Sequence, residues 1–429
     1  MEATAISKKI EWVKSLSTAS TLSTIAPELA ALSAQALETT DFPTTRVEDW
    51  KYTRTTRISN AKWNVAPSAQ AIDLTPFLIE GLDACVYVFV DGFFRSDLSS
   101  VSTIEGVSIE SISQLSDDSK SAVAGLLARR HSKIDFFTAL HNTHITDGIY
   151  VRVKRNTIAT KAIHCLFLQS TEQSFGLPIL AGSLEQNSQL HVVCTFATIG
   201  GVNAFTQAAI DWEVESNAQL NIDKIQMEGE QSFHLSQENI YQARDSRFTI
   251  NTMTVDGNWV RNNLNIRLDG ENCLTHLNGI YLPRGTQHVD NHTLVDHLMP
   301  HCESNELYKG VMFDQSKAVF NGKVYVRPDA QKTNAYQTNA NIMMSDDASV
   351  NTKPELEIYA DDVKCSHGTT TGQFNEEALF YLKARAIGPE NAKKLLTAAF
   401  LGDVVNKIEN EAVQSFVFNQ LQEKNLLWM

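Results

Sequence analysis

The pattern of hydrophobic and polar positions changes twice along the chain and divides it into three parts. Near the N-terminus, Ile10, Val13 and Leu16 recur at helical spacing, so helices are expected over the first 60 or so residues. The run "ACVYVFV" at 84–90 predicts a strand, and "SAVAGLLARRHSKIDFFTALHNTHI" predicts further helix. We assign residues 1–148 to an N-terminal helical domain with a short β segment.

From 149 to 372 the pattern becomes one of short β-branched and aromatic runs separated by Gly, Asn and Asp. A polar turn followed by an apolar strand opener recurs, and the openers are Leu190, Leu220, Phe248, Leu274 and Val350. The first three intervals are 30, 28 and 26 residues. Such a period without helices predicts a β-helix core, with an antiparallel β-sandwich as the alternative.

Helical patterning returns over 373–429, where Asn375 is a candidate N-cap. An apolar stripe on the second helix of this domain includes Leu395, Ala399, Phe400 and Val404. The stripe either packs onto the β-helix or docks a partner, and the pattern leaves both open.

Charge and composition narrow the function. Lys and Arg total 36 against 50 Asp and Glu, which gives a net charge of −14 and argues against binding to nucleic acid or to an anionic membrane. No apolar run approaches the roughly 20 residues of a membrane span. The amphipathic N-terminus resembles neither a secretory signal nor a transit peptide, so a cytoplasmic location is expected.

The motifs of several enzyme classes are missing. The six cysteines are scattered without a C-x-x-C pair, which argues against a disulfide framework or a compact zinc site. There is no G-x-x-x-x-G-K-[ST] loop, no G-x-G-x-x-G and no G-x-S-x-G elbow. A binding or scaffold protein is therefore the leading class, and no catalytic residue is predicted.

Two segments carry candidate ligands. The segment 287–310 contains four histidines and a cysteine, of which His292, His297 and Cys302 are candidate metal ligands. Hydrogen-bonded packing is the alternative, and a β-solenoid enzyme that uses this cluster is the rival function. In "YADDVKCSHGTTTG" at 359–372, strand alternation places Cys365 and His367 on one face.

The region 307–372, which contains "GKVYVRPDAQKTNAYQTNANIMMSDDASVNTKPELEIYADDVKCSHGTTTG", resembles the signature of the SufB/SufD family of iron–sulfur cluster assembly proteins. "RVEDWKYT" at 46–53 and "EALFYLKARAI" at 377–387 resemble the family's N-terminal and C-terminal motifs. The resemblance implies a right-handed parallel β-helix between two helical domains.

Length, the "EDWKYT" element and the Cys-x-His pair make the chain most similar to the SufD type. That resemblance implies a scaffold subunit, not an enzyme, that pairs with SufB through the end of its β-helix. Its C-terminal helices would hold the ABC-type ATPase SufC, with Tyr381 and Leu382 among the docking residues beside the stripe defined above. A cysteine desulfurase and its sulfur carrier would supply sulfur. A SufB-like or homodimeric scaffold is the alternative within the family, and a homodimer without SufB stays open.

The same resemblance assigns roles to Cys365 and His367. His367 is expected to be the main cluster ligand, with Cys365 as a second ligand or as packing. The Cys365 thiol would need a lowered pKa to bind iron or sulfur at neutral pH. No cofactor is expected to bind this chain stably by itself. A transient Fe–S cluster belongs to the complex, and a reduced flavin in the complex is left open.

Overall fold

The computed structural model of the protein describes residues 2–16, 22–130 and 134–427. The helices are α1 (Glu2–Ser15), α2 (Leu22–Ile25), α3 (Pro27–Thr39), α4 (Thr56–Asn60), α5 (Asp117–Ala128), α6 (Phe136–His144), α7 (Glu376–Ala384), α8 (Pro389–Val405) and α9 (Glu411–Glu423). No helix within these residues is long and apolar enough to cross a membrane.

The strands alternate between two sheets. The first ten are β1 (Ala84–Val90), β2 (Phe93–Phe94), β3 (Val107–Ser111), β4 (Gly148–Val153), β5 (Ala162–Gln169), β6 (Phe175–Gly176), β7 (Ile179–Leu184), β8 (Gln189–Thr198), β9 (Phe205–Val214) and β10 (Gln219–Met227). The others are β11 (Phe233–Gln242), β12 (Arg247–Asp256), β13 (Trp259–Leu268), β14 (Leu274–Tyr281), β15 (His288–His297), β16 (Glu303–Met312), β17 (Lys317–Val326), β18 (Asn334–Met343), β19 (Ser349–Ile358) and β20 (Lys364–Gly372).

These strands coil into a parallel β-solenoid. One sheet has the order β2-β1-β5-β8-β10-β12-β14-β16-β18-β20, and the other has the order β19-β17-β15-β13-β11-β9-β7-β4-β3. One side-chain face of each sheet points into the interior of the solenoid. There, the side chains at equivalent positions of successive coils stack on one another. Phe89, Phe167 and Phe196 form such a ladder, with ring centroids 5.1 and 4.8 Å apart. The predicted mainly-β solenoid with helices at both termini is confirmed.

The predicted repeat is confirmed over its first three copies. Leu190, Leu220 and Phe248 are register partners in β8, β10 and β12, and all three are buried. The fourth prediction is wrong by one residue, since Thr275 pairs with Phe248 and Leu274 is only half-buried. The fifth is wrong in its sheet, because Val350 lies on β19 and pairs with Ala318.

The recurring polar turn has a physical cause. Asn187, Asn217, Asp245 and Asn272 each adopt a positive φ of 56 to 61° just before a strand of the first sheet. Asn and Asp tolerate this left-handed conformation better than other residues with a side chain. Their side chains also bond from coil to coil, as in Asn217 Nδ2 donating to Asn187 Oδ1 at 2.9 Å. The turn residues therefore mark one corner of the solenoid.

The helical parts pack on the outside of the solenoid. Strand β1 already pairs in parallel with β5, so the first sheet begins at Ala84, ahead of the boundary proposed at 149. Three-residue 3₁₀ helices at Glu48–Trp50, Thr75–Phe77 and Ile112–Gln114 link the N-terminal elements. Helix α7 begins after Asn375, whose side chain accepts hydrogen bonds from the backbone of Glu377 and Ala378, as an N-cap does.

Candidate functional site

The last coil of the solenoid carries the Cys-x-His pair. Strand β20 pairs with β18 and occupies the edge of its sheet. Cys365 pairs with Ala335 and His367 pairs with Gln337. Because Ala335 and Gln337 are buried inward positions, the two candidate ligands share the inward face of the last coil. No coil covers that face among the described residues, so His367 is exposed and Cys365 half-buried.

The environment of Cys365 opposes ionisation of its thiol. The side chain packs against a small apolar cluster that includes Val326, Ala335 and Ala360. Burial raises the pKa of the Cys365 thiol above its ordinary value, and a backbone hydrogen bond with Ala335 offsets this only in part. The lowered pKa that iron or sulfur binding requires is therefore not supplied by this chain, and a partner or a bound metal would have to supply it.

A polar ladder leads from His367 into the solenoid. Gln337 lies one coil below His367, and Glu306 lies one coil below Gln337 in the same inward column. Gln337 Nε2 donates to Glu306 Oε2 at 2.7 Å, and Thr293 Oγ1 donates to Glu306 Oε1 at 2.6 Å. Burial raises the pKa of the Glu306 carboxyl to about 7, and the hydrogen bonds from these two donors offset the rise only in part.

Sequence reasoning missed Glu306 and Gln337. Below Glu306 the same column is apolar, since the next inward positions are Leu277 and Ile250. Only the pairing register shows that a carboxyl and an amide replace apolar residues in the two coils that precede His367. A polar residue at an inward position of a β-helix strand was the available signal, but the sequence did not fix which positions point inward.

Strand parity divides the histidine-rich segment. His288, Asp290 and His292 lie on the outward face of β15, whereas His297 lies on its buried inward face. Residues an odd number of positions apart on a strand cannot converge on one metal ion. Within the described part of the chain, no group of three or more His, Cys, Asp or Glu side chains has the geometry of a metal site.

The outward histidines anchor the N-terminal segment. Thr53 donates to Asp290 and lies 2.9 Å from His288 Nε2, while His292 Nε2 lies 3.0 Å from Asp290. Arg261 Nη1 donates to Asp290 Oδ2 at 2.6 Å. Burial opposes ionisation of Asp290, yet its interactions with His292 and Arg261 hold the pKa of this carboxyl below its usual range. His292 is thus part of a structural hydrogen-bond network.

His297 and Cys302 also have packing partners. His297 Nε2 lies 2.9 Å from Ser304 Oγ, and Cys302 Sγ contacts the carbonyl of Gly270 at 3.2 Å. A hydrogen bond with the neighbouring Cys273 thiol, followed by one with His297, outweighs burial and lowers the pKa of Cys302 to about 5. Two thiols and one imidazole lie close together here, inside the wall of the solenoid.

The "RVEDWKYT" motif packs against the second sheet and connects the N-terminal domain to it. Trp50 stacks on Phe137 at 5.3 Å, and the guanidinium of Arg261 lies 3.9 Å from the Trp50 ring centroid. Glu48 accepts a hydrogen bond from Lys353 Nζ on β19 at 2.7 Å. The motif therefore has a packing role in this chain.

The predicted docking residues on the C-terminal helices differ in how far they are buried within this chain. Val404 is fully buried in a cluster with Leu401 and Val405 that packs against the first sheet, so assigning it to partner docking is wrong. Phe400 packs partly against the same cluster beneath the Lys309 ammonium, 4.6 Å from its ring centroid. Leu382 and Leu395 are half-buried and Ala399 is exposed.

Helix α7 carries the exposed aromatic residues of this region. Tyr381 is 58% exposed and Phe380 is 73% exposed, and α7 contributes no buried residue to the core. Large exposed aromatic side chains next to each other mark an interaction surface.

The fold and the site define a β-solenoid protein with one end uncovered among the described residues and a Cys-x-His pair on that end. The family model "SUF system FeS cluster assembly, SufBD core domain" matches residues 168–400, more than half of the chain, and "SufBD protein N-terminal region" matches residues 20–165. The chain belongs to this SufBD family of iron–sulfur cluster assembly proteins.

Curated relatives agree with the family model along nearly the whole chain. The chain is similar to "Iron-sulfur cluster assembly protein SufD" of Escherichia coli, with 29% identity over 402 residues and 91% of each chain covered. A SufBD family protein of Synechocystis is 28% identical over 89% of this chain and 87% of its own. The SufD protein of Bacillus subtilis is 25% identical over 92% of this chain and 94% of its own. The predicted resemblance to the SufD type is confirmed.

Proposed function

We propose that the protein is the SufD-type subunit of a three-component scaffold, in which an Fe–S cluster is assembled where this chain meets a SufB-type solenoid. The observation that carries the proposal is the uncovered C-terminal end of the solenoid, which presents His367 and Cys365 on an otherwise exposed strand. The proposal includes a cytoplasmic location and a non-catalytic role.

The edge itself favours a second solenoid as the partner. Strands β19 and β20 end their sheets side by side, so within the described part of the chain both offer unpaired backbone donors and acceptors in the same direction. Exposed edges of this kind are covered in natural proteins or are used for strand addition. A homologous solenoid would continue both sheets and would bury Ile358 and Tyr359, which are exposed here.

The cluster is cargo that both subunits would hold. This chain offers one imidazole and one thiol, which is fewer than the four protein ligands that Fe–S clusters usually have. The partner would supply the remaining ligands, and a cysteine desulfurase with its sulfur carrier would supply sulfur. We expect no cluster or flavin to stay bound to the isolated chain.

The ATPase would dock on helix α7. Phe380 and Tyr381 give an exposed aromatic patch on a helix that packs only lightly on the rest of the chain. Leu382, Leu395 and Ala399 extend that patch toward α8. The buried half of α8 would transmit the position of the ATPase to the first sheet, since Lys309 on β16 binds Asp403 and the carbonyl of Phe400.

Co-expression with the products of neighbouring genes tests both contacts. The tagged full chain should retain a homologous solenoid and an ATPase through purification. Phe380→Asp should remove the ATPase and keep the solenoid partner, because an unpaired charge in an apolar contact costs several kcal/mol.

A matched charge change provides the control. Glu377→Lys lies on the same helix but changes a residue that is already charged and exposed. Retention of the ATPase by Phe380→Asp would contradict docking at α7. Iron and sulfide in the chain purified alone would favour a SufB-like scaffold, and a dimer of the chain alone would favour the homodimer.

A further inference from the structure

The polar ladder below His367 contains a buried group whose hydrogen-bonding capacity is unused. Gln337 is 2% exposed, and its Oε1 has no hydrogen-bond partner among the described residues. Its Nε2 is committed to Glu306 Oε2 at 2.7 Å. A buried amide oxygen without a donor costs free energy, so its retention calls for an explanation.

The orientation of the Gln337 amide follows from Glu306. Both carboxyl oxygens of Glu306 accept hydrogen bonds, Oε1 from Thr293 and Oε2 from Gln337 Nε2, so the NH₂ group of the amide and not its oxygen faces Glu306. Thr293 holds the other carboxylate oxygen at 2.6 Å, which fixes the carboxylate in place. The amide also has little room to turn, because even a methyl group on Gly322 of the facing sheet would meet Gln337 Nε2 at 2.1 Å. The amide oxygen is thereby left for the neighbour on the other side, in the next coil.

That neighbour is His367. Gln337 and His367 are register partners on β18 and β20 and occupy the same inward column. Adjacent strands lie about 4.8 Å apart, so a rotation of the exposed imidazole brings one ring N–H within reach of Gln337 Oε1. No residue of a further coil competes for that oxygen within the described chain.

We propose that Glu306 and Gln337 are positioning residues for His367: Glu306 orients the Gln337 amide, and Gln337 Oε1 accepts one ring N–H of His367. The lone pair of the other ring nitrogen then faces out of the solenoid end toward the partner and the cluster. Histidines that bind metals nearly always donate their second N–H to a carbonyl, carboxylate or water, which fixes the tautomer and the ring plane. The inference rests on the proposed role of His367 as a cluster ligand.

The central variant is Gln337→Met, which keeps the length of the side chain and removes the amide oxygen. It should lower iron and sulfide in the purified complex by about 10-fold or more, the range found for lost supports of metal ligands. The complex should still assemble, because Gln337 lies below the surface that the partner would cover. Glu306→Gln should give a smaller loss, since an amide at 306 permits both orientations of Gln337.

Two further variants separate positioning from packing. Glu306→Gln/Gln337→Glu exchanges the two groups and restores an acceptor beside His367, so it should recover cluster formation. Gln226→Met is the control: Gln226 is a fully buried amide at an inward position of β10 in the same sheet, with hydrogen bonds to Asn262 and Thr254. It should leave cluster formation intact.

The tautomer of His367 gives a readout that does not depend on the cluster. In the full chain labelled with ¹⁵N-histidine, NMR should show one dominant neutral tautomer for His367, assigned with His367→Gln. Gln337→Met should convert this signal to a mixture of tautomers, and the exchanged double variant, which again places an acceptor beside the ring, should restore one tautomer.

The outcomes distinguish this inference from the proposed function. Normal cluster formation by His367→Ala would overturn the ligand role itself. If His367→Ala blocks cluster formation, while Gln337→Met leaves both cluster formation and the His367 tautomer unchanged, only the positioning role would be overturned. An equal loss in Gln226→Met would also overturn it, because the effect would then come from any buried amide.

Discussion

The two ends of the solenoid are built from the same coils but finished differently. At the N-terminal end, the first sheet closes with β2, antiparallel to β1, and the second closes with β3, antiparallel to β4. The interior of that end is filled by Cys85, Tyr87 and Phe89, all buried. At the C-terminal end, β19 and β20 have no further strand beside them among the described residues.

The interiors of the two ends also differ in chemistry. The inward column that starts with Cys85 continues through Ile163, Val192 and Ile222 and becomes polar only in its last three members. Buried polar groups cost stability unless they are paired, so a polar, uncovered end is not what folding alone selects. The capped end therefore has a buried apolar interior, whereas the open end exposes polar groups, as the proposed partner and ligand roles of that end require.

The largest effect is expected from His367→Ala. An exposed side chain at the edge contributes little to folding, so the free energy of unfolding should change by less than about 0.5 kcal/mol. Cluster formation should nevertheless be lost, because no other imidazole lies in the last coil. Complementation of a strain that lacks the protein, under iron limitation or peroxide, measures this. Wild-type growth would show that the open end has no ligand role, and failure to assemble the complex would make His367 structural.

Phe89→Ala at the capped end should do the opposite. The Phe89 ring is 1% exposed and stacks on Phe167, so its removal should cost about 3–5 kcal/mol of stability through lost packing and a cavity. Denaturant unfolding followed by circular dichroism gives the value. Provided that the variant stays folded at the assay temperature, it should still support cluster formation. A loss of less than about 1 kcal/mol would mean that the capped end does not stabilise the solenoid.

Glu306→Gln should remove a pH dependence that belongs to the open end. The pKa of Glu306 rises from an ordinary 4.5 to about 7 in the folded chain, so unfolding releases a proton between these values. Stability from this group is therefore full below pH 4.5 and is lost as the pH rises through about 7, a change on the order of 3 kcal/mol.

The measurement is the difference in unfolding free energy between wild type and Glu306→Gln at pH 5 and at pH 8. The wild type should lose stability relative to the variant as the pH rises. Equal pH profiles for the two proteins would mean that the carboxyl is not held in an apolar interior.

Cys365→Ser should have the smallest effect. The thiol is half-buried and has a raised pKa, so it is a weaker ligand than His367, and a cysteine of the partner could still anchor the cluster. Cluster formation should fall less than in His367→Ala. As a control, maleimide should label the native wild type at Cys365 alone, since the other five cysteines are buried. A complete block in Cys365→Ser would make the thiol an essential ligand.

Much of the solenoid was predictable because its coils repeat a local rule. Asn217 and Asp245 mark the turns, and Leu220 and Phe248 follow them as buried openers, so spacing alone located several strands. The rule failed at Leu274, because the inward position three residues after the turn residue Asn272 is held by the polar Thr275, and the apolar Leu274 lies one residue earlier, on the other face. An error of one residue exchanges the inward and outward faces of a strand.

The strand face of the candidate ligands was predictable from the sequence, but the residues that surround them were not. Strand alternation put Cys365 and His367 on one face, and the pairing with β18 agrees. The grouping of His292 with His297 failed because neighbours in sequence lie on opposite faces of β15. The docking stripe failed at Val404 because an apolar helix face does not say whether it meets its own chain or another.

By itself, the sequence determined the solenoid class, the family and the position of the two candidate ligands at its end, because alternation, turn residues and motifs are encoded over a few neighbouring positions. Only the tertiary structure decided which side chains stack. The column Glu306–Gln337–His367 joins residues about 30 positions apart, and its meaning depends on the exact register of three strands. Hydrogen bonds, burial and the raised pKa of Glu306 arise from that register, since each is a property of distance in space and not of distance along the chain.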